Sequence, residues 1–345
     1  MAEFFLEYGL FTAKALTLFV FTGLLLGLAV LLIGGLVARA RHQQISSLRV
    51  VRVNERIAEQ REVLEHALAA PGSEKALHKK QAAEWKKRAE ALASARRVFV
   101  LDFEGDLQAS AVENLRHELT AVLAQATQAD EIVVRLESGG GVVHAYGLGA
   151  SQLERVKARG VRLTVCVDRV AASGGYMMAC VADQLIAAPF AVLGSIGVVA
   201  QLPNFHRLLR KNDVDFELFT AGQYKRTVTV FGENTDEGRA KMQSDLDDTH
   251  ALFKQFVREQ RPQLDIERVA TGEIWLGRRA LEEKLVDELA TSDEYLARAC
   301  ENAVVLEVKH RRRLPLQGRL VRSLESAVDR SLLRWWDRAQ RAPHY

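Results

Sequence analysis

A serine at the end of an apolar stretch carries the clearest chemical signal in this sequence. Ser173 stands within residues 170–176, VAASGGY, where a buried strand is expected to turn into a helix. A serine at such a turn exposes its hydroxyl beside backbone N–H groups at the positive end of the helix. No histidine follows where a general base is expected, and the next candidate base is Lys225. Because a buried lysine can lose its proton near neutral pH, these residues predict a Ser–Lys hydrolase.

Amide hydrolysis also needs hydrogen-bond donors for the oxyanion that develops on the scissile carbonyl. The N–H of Gly174, directly after the serine, has the right direction at a helix start. A second donor should come from the glycine run 139–141, because glycine lets a backbone approach a substrate closely.

Three further polar residues are candidates for the same site. Ser195 and Thr227 could orient the Lys225 amine by hydrogen bonding, or they are ordinary loop hydroxyls. His144 follows the glycine run and competes as a base, although a structural or substrate-contact role is preferred for it.

Composition limits the other functions. The chain has 345 residues and a formal net charge of +3, which is too small to suggest nucleic-acid binding. The three cysteines show neither the spacing of a metal site nor that of a disulfide framework. We therefore predict no metal and no cofactor.

The N-terminus predicts a membrane anchor. Residues 15–38 contain no charged side chain, and a bilayer needs about 20 such residues as a helix. A signal peptide fits less well because its apolar region is shorter, and because Ala38-Arg39-Ala40 would be a poor cleavage site with a central arginine. Several arginines follow the span and only Lys14 precedes it, so the positive-inside rule places the C-terminal part in the cytoplasm.

Composition also divides the chain. Residues 1–14 form a short N-terminal segment, 39–95 a charged helical stalk, 96–300 the catalytic domain and 301–345 a basic amphipathic tail. The tail suits either an anionic membrane surface or a neighbouring subunit.

The pattern from Val98 onward predicts an α/β fold. Apolar strand-like runs at 98–101, 132–134, 163–167 and 185–188 alternate with helical periodicities. This alternation is typical of parallel βαβ units. Residues 216–219 are expected to form a further strand that delivers Lys225.

Four segments carry a resemblance to a known family. They are LESGGGV at 136–142, ASGGYMMA at 172–179, GSIGV at 194–198 and GQYK at 222–225. They resemble the signal peptide peptidase A family, the S49 serine peptidases, and within it the SohB-type membrane-anchored branch. The resemblance covers nearly the whole chain and is specific from about Val98 to Leu289.

This resemblance implies the roles of several residues. The serine matching Ser173 is the nucleophile, the lysine matching Lys225 is the general base, and Gly140 and Gly174 supply the oxyanion N–H groups. The family usually has proline where this chain has Gly139, so the loop loses a fixed φ and the donor is Gly140 or a neighbour. The resemblance also implies a crotonase-like (ClpP-type) fold of repeated ββα units, a ring-like homo-oligomer and a periplasmic catalytic domain. The expected periplasmic location conflicts with the positive-inside rule, which places the C-terminal part in the cytoplasm, and both alternatives stay open.

The leading hypothesis is a single-pass serine endopeptidase of the bacterial inner membrane that contacts lipid through its anchor and basic tail. Its substrates would be peptides such as remnant signal peptides or other short apolar segments. The alternative is a non-proteolytic scaffold that binds membrane peptides in the same groove. Acyl-CoA chemistry on the shared scaffold ranks lowest, because nothing basic near the glycine turns resembles a site for CoA phosphates.

Overall fold

The computed structural model describes residues 45–69 and 95–313, together with the isolated position 21. No helix in this described part is long and apolar enough to cross a membrane. The predicted span 15–38 lies, apart from position 21, outside the described residues. Most of the basic tail, from residue 314 onward, lies outside them as well.

A mixed α/β sheet organises the described residues. The strands of its main path are β1 (Ile45–Arg52), β2 (Arg97–Gly105), β3 (Glu131–Ser138), β4 (Arg162–Val167), β6 (Gln184–Ala187), β9 (Glu288–Leu289) and β10 (Val304–Arg313). Their spatial order is β1, β10, β2, β3, β4, β6, β9. All pairings from β10 across to β9 are parallel, which confirms the parallel α/β architecture predicted from the alternating pattern.

A short branch leaves the main sheet at the end of β3. Strand β5 (Val170–Ala172) pairs in parallel with β3 through Ser138 and Ala171. Strand β7 (Val192–Gly194) continues the branch in parallel, and β8 (Ile274–Leu276) pairs with β7 in the antiparallel direction. The branch therefore brings the ends of β3, β5 and β7 side by side.

Helices connect these strands. They are α1 (Val53–Leu68), α2 (Val112–Leu123), α3 (Val143–Ala158), α4 (Gly174–Ala179), α5 (His206–Lys211), α6 (Asp236–Gln260), α7 (Ile266–Val269), α8 (Gly277–Glu282) and α9 (Ser292–Asn302).

Both faces of the main sheet are buried, as parallel sheets require. Successive side chains of β2 point to opposite faces, so Phe99 and Leu101 join one apolar cluster and Val98 and Val100 join another. The first cluster packs against side chains of α2, α3 and α4, whereas the second includes side chains of α9 and the first residue of α1. The continuous apolar run of β2 thus follows from burial on both sides.

The sheet includes strands from outside residues 96–300. This is the range that the sequence predicts for the catalytic domain. Strand β10 pairs with β2 from Val304 onward. Helix α1 is anchored at Asn54, whose side-chain amide donates to the carbonyl oxygens of Cys300 and Ala303. Its Oδ1 accepts the N–H of Val305 at 2.8 Å.

The predicted strand at 216–219 is wrong. These residues form no strand and are exposed, without regular secondary structure, between α5 and α6. Their apolar side chains find no neighbouring strand within the described chain, and Phe219 is 88% exposed. The sequence shows that residues in this segment are apolar, but it does not show what covers their side chains.

One buried carboxyl group holds β10 against α2. Glu118 is 4% exposed, and its Oε1 accepts the backbone N–H of His310 at 2.6 Å. Its Oε2 has no hydrogen-bond partner among the described residues. Burial raises the pKa of Glu118 to about 7; the nearby Asp102 also raises it, whereas the His310 N–H and Lys309 act in the opposite direction. The neutral acid is therefore the form that suits this position.

We predict that Glu118→Gln flattens the dependence of stability on pH. An acid whose pKa is raised by folding is more protonated in the folded chain, so stability falls as pH rises from about 4.5 towards 7. Each pKa unit corresponds to about 1.4 kcal/mol, so the loss amounts to a few kcal/mol at most. Urea unfolding of the full-length protein at pH 5 and pH 8 measures it.

Glu113→Gln on the exposed face of the same helix is the matched control and should keep the wild-type dependence. Equal pH dependence in wild type and Glu118→Gln would contradict the prediction.

Candidate active site

The backbone at Ser173 has an unusual conformation. This residue joins β5 to α4 with φ 52° and ψ −120°, a region that L-residues rarely adopt and that costs of order 1–3 kcal/mol. Its N–H donates to the carbonyl of Gly194 at 2.8 Å, and its carbonyl accepts the N–H of Met177 at 2.9 Å. These bonds hold the half-buried serine at a sharp strand-to-helix turn, the arrangement that presents a nucleophilic hydroxyl.

The glycine run packs directly onto this turn. Gly140 has φ +91°, which favours glycine, and a Cβ added there would lie 2.7 Å from Cβ of Ser173 and 2.8 Å from the nitrogen of Gly174. The pairing of Ser138 with Ala171 aligns the ends of β3 and β5 and so brings the two turns together. The structure thus places Ser173, Gly140 and Gly174 in one site.

Two glycines after the serine are required by this packing. A Cβ on Gly174 would lie 2.5 Å from the ring of Tyr146, and one on Gly175 would lie 2.5 Å from the carbonyl oxygen of Ser138. Both approaches are closer than real Cβ atoms show. The SGG sequence therefore reflects contact with the Tyr146 ring of α3 and with the end of β3 as well as a local turn.

The two predicted oxyanion donors differ in their surroundings. The N–H of Gly140 donates to Oγ of Ser138 at 3.1 Å, within its own turn. The N–H of Gly174 lies in the first turn of α4 and has no acceptor among the residues that the structure describes. Gly174 is therefore placed to bind a ligand oxygen, whereas Gly140 already has a partner.

Sequence reasoning missed the support beneath the glycine run. Ser138 and Tyr146 are 2% and 0% exposed, and their hydroxyl oxygens lie 2.5 Å apart. A tyrosine eight positions after a serine is not a spacing that indicates a contact in any regular structure. The pair is therefore seen only in the folded chain.

Lys225 makes no hydrogen bond to these groups among the described residues. Its N–H closes a turn with the carbonyl of Gly222 at 3.1 Å, and its side chain is exposed. The described contacts therefore join the predicted nucleophile to the predicted donors, and none of the hydrogen bonds between described residues joins the predicted base to Ser173.

The two candidates for orienting the Lys225 amine lie on different segments. Ser195 follows β7 with φ 50°, and the pairing of Ala172 with Gly194 sets it beside Ser173. Thr227 lies on the segment that carries Lys225, where its carbonyl packs against Gly238 at the start of α6. His144 is exposed in the first turn of α3.

Cysteine nucleophiles are disfavoured by burial. Cys166 and Cys180 are both buried, and burial raises the pKa of each thiol to about 12. A thiol with such a pKa carries almost no reactive thiolate near neutral pH. Among the described residues, no group of three or more His, Cys, Asp or Glu side chains could hold a metal ion.

Known proteins share this arrangement of segments. The model for the N-terminal part of peptidase family S49 matches residues 3–153, and the model for peptidase family S49 matches residues 155–306. A probable protease SohB from Buchnera aphidicola subsp. Acyrthosiphon pisum is 52% identical over 239 residues, which cover 69% of this chain and 71% of that protein. The chain belongs to peptidase family S49.

Another relative in this family is a probable protease SohB from Haemophilus influenzae. It is 55% identical over 231 residues, which cover 67% of this chain and 65% of that protein, slightly less than two thirds of its length. Among solved structures, the membrane-bound stomatin-specific protease 1510-N aligns with a TM-score of 0.40 and 12% identity over 60% of this chain and 86% of that chain. Ser173 and Lys225 fall within the S49 match, and the glycine run falls within the N-terminal one.

We predict that Gly174→Ala destabilises the protein, whereas Gly147→Ala does not. The alanine methyl at 174 would meet the buried Tyr146 ring, and such overpacking typically costs about 1–3 kcal/mol. A methyl at Gly147, in α3, meets nothing within 4 Å and should be neutral or stabilising by about 0.5–1 kcal/mol. Urea unfolding of both variants compares them, and equal stability would show that Gly174 and Tyr146 do not pack as described.

Proposed function

We propose that this chain is a membrane-anchored serine endopeptidase that uses Ser173 and Lys225 to hydrolyse peptides. The observation that carries the proposal is the strained Ser173 at a helix start with the glycine run packed against it. Membership of peptidase family S49 supports the reaction class. Remnant signal peptides and other short apolar segments from membranes are the proposed substrates, and the crotonase-like fold is part of the same proposal.

The proposed reaction follows from the chemistry of the groups. Oγ of Ser173 attacks the scissile carbonyl while the neutral Lys225 amine accepts its proton. The N–H of Gly174 and a second N–H from the glycine run stabilise the oxyanion. Lys225 then protonates the leaving amine, and water, activated by the same amine, releases the acyl group from the serine.

Lys225 must reach the serine in an environment that excludes water. The segment 199–231, here called the lysine loop, exposes many large apolar side chains in the single chain. They include Val199, Leu202, Phe205, Leu208, Phe216, Phe219, Tyr224 and Phe231. Exposed apolar surface of this kind is typical of an interaction site.

We therefore place the lysine loop against a second copy of the chain in a homo-oligomer. The loop of one subunit would cover the Ser173 site of its neighbour and deliver Lys225 there. Contact with the neighbour would remove water from the amine, which favours its neutral form. Ser195, beside Ser173, would then be the hydroxyl that orients the incoming amine, and Thr227 would orient it from the loop itself.

The membrane location belongs to the proposal as well. Residues 15–38 would anchor the chain in the bacterial inner membrane, and the basic residues of 301–345 would contact anionic lipid. Protease accessibility of the tail in intact spheroplasts assigns the side of the membrane, and with it the pool of peptides that the enzyme can reach.

We predict that Ser173→Ala and Lys225→Ala each reduce peptide cleavage by at least about 10³-fold while the protein stays folded. Lys211→Ala, at the end of α5, removes a different exposed lysine of the lysine loop and should keep activity. A fluorophosphonate should label wild type at Ser173 and leave Ser173→Ala unlabelled. Full cleavage by either dyad variant would overturn the peptidase proposal and favour the peptide-binding scaffold.

Mixed oligomers test where the lysine comes from. We predict that Ser173→Ala and Lys225→Ala subunits, inactive alone, regain part of the activity when they are co-expressed, because some interfaces then combine an intact serine with an intact lysine. Cleavage of a fluorogenic peptide by the purified mixed assembly measures this. Assemblies that contain both subunits without any activity would show that each chain supplies its own lysine.

A further inference from the structure

Three hydrogen bonds form a chain beneath the proposed oxyanion site. Tyr146 donates its hydroxyl proton to the carbonyl of Asp106 at 2.7 Å. The hydroxyl oxygens of Tyr146 and Ser138 lie 2.5 Å apart, and Ser138 Oγ lies 3.1 Å from the nitrogen of Gly140. The chain therefore connects the segment after β2 to the glycine run.

The direction of every proton in this chain is determined. A carbonyl can only accept, so the single proton of Tyr146 goes to Asp106. Tyr146 must then accept the proton of Ser138, and Ser138 must accept the N–H of Gly140. Hydrogen bonds aligned in one direction polarise and strengthen one another.

The same loop holds the other side of the glycine run. The carbonyl of Leu107 accepts the N–H of Val142 at 2.9 Å. A Cβ on Gly141 would lie only 2.1 Å from this oxygen. Neighbouring carbonyls of Asp106 and Leu107 thus fix the run from both ends, with the Gly140 N–H turned inward. The N–H of Gly141 has no acceptor among the described residues.

Burial makes this chain costly to interrupt. Ser138 and Tyr146 are almost completely buried, so a missing partner would leave a polar group without water. Burial also raises the pKa of Tyr146, which keeps its hydroxyl protonated as the donor to Asp106. The ring of the same tyrosine contacts Gly174, so one side chain touches both proposed sources of oxyanion donors.

We propose that Ser138 and Tyr146 are positioning residues that fix the glycine run against the Ser173 turn, in the orientation in which the run supplies an oxyanion donor beside the Gly174 N–H. This inference rests on the proposed function and refines it. Neither side chain touches the substrate. Both act through the orientation of the glycine run.

The rate of fluorophosphonate labelling tests the proposal. The reagent reacts with the serine through a transition state whose oxygen occupies the oxyanion site, so the rate reports on the donors. Tyr146→Phe and Ser138→Ala should slow labelling about 10-fold to 100-fold, somewhat less than the loss of a whole donor. In peptide cleavage, kcat should fall by a similar factor while KM changes less than about threefold.

Tyr176→Phe is the matched control. This fully buried tyrosine of α4 donates to the carbonyl of Leu285 at 2.9 Å and has no bond to the glycine run. It should lose comparable stability but label at the wild-type rate. Urea unfolding of each variant establishes that it is folded, and Ser138→Ala serves if Tyr146→Phe does not fold.

The outcomes separate this inference from the proposed function. Labelling of Tyr146→Phe or Ser138→Ala at the rate of Tyr176→Phe would overturn the positioning role while the peptidase stands. A rise in KM alone would overturn it too. Absence of Ser173-dependent labelling in wild type would instead overturn the peptidase proposal, and the positioning role with it.

Discussion

The close contact between the glycine run and the Ser173 turn is the constraint on which the rest of this site depends. Glycine at 140 lets its loop approach the Ser173 turn, and glycine at 174 and 175 lets this turn approach Tyr146 and Ser138. Each approach is at a distance that no Cβ tolerates. The approach is possible because β3 and β5 are paired, with Ser138 beside Ala171. The parallel sheet, buried on both faces, keeps these strand ends in register. Local strain at Ser173 is therefore maintained by tertiary structure rather than by the turn itself.

Ser173 and the glycine run are held by many hydrogen bonds, whereas Lys225 is exposed. Backbone hydrogen bonds fix Ser173 to Gly194, and the hydroxyl chain through Ser138 and Tyr146 fixes the glycine run. Lys225, in contrast, lies on a loop whose apolar side chains face outward. In the proposed assembly, the neighbouring subunit supplies the missing part. Such an arrangement would keep an isolated subunit inactive until the oligomer forms.

Local patterns predicted much of this molecule. Apolar runs predicted β2, β3, β4 and β6 of the main sheet, and the serine followed by two glycines predicted the turn. The sequence did not separate β5 from β4 because three residues carry no periodicity. The strand predicted at 216–219 was wrong because this segment has no neighbouring strand within the described chain. The hydrogen bond between Ser138 and Tyr146 depends on how β3 and α3 pack, and no residue spacing in the sequence indicates it. In the proposed assembly, the partner of Lys225 belongs to a second chain, and a single sequence does not show how two chains meet.

An experimental structure of the full-length assembly in a lipid bilayer is the most direct test of the proposed site. We predict that Nζ of Lys225 from a neighbouring subunit lies within hydrogen-bonding distance, about 2.6–3.2 Å, of Oγ of Ser173, in a site closed to water. An assembly in which every Lys225 faces solvent, with its lysine loop away from any Ser173, would contradict it.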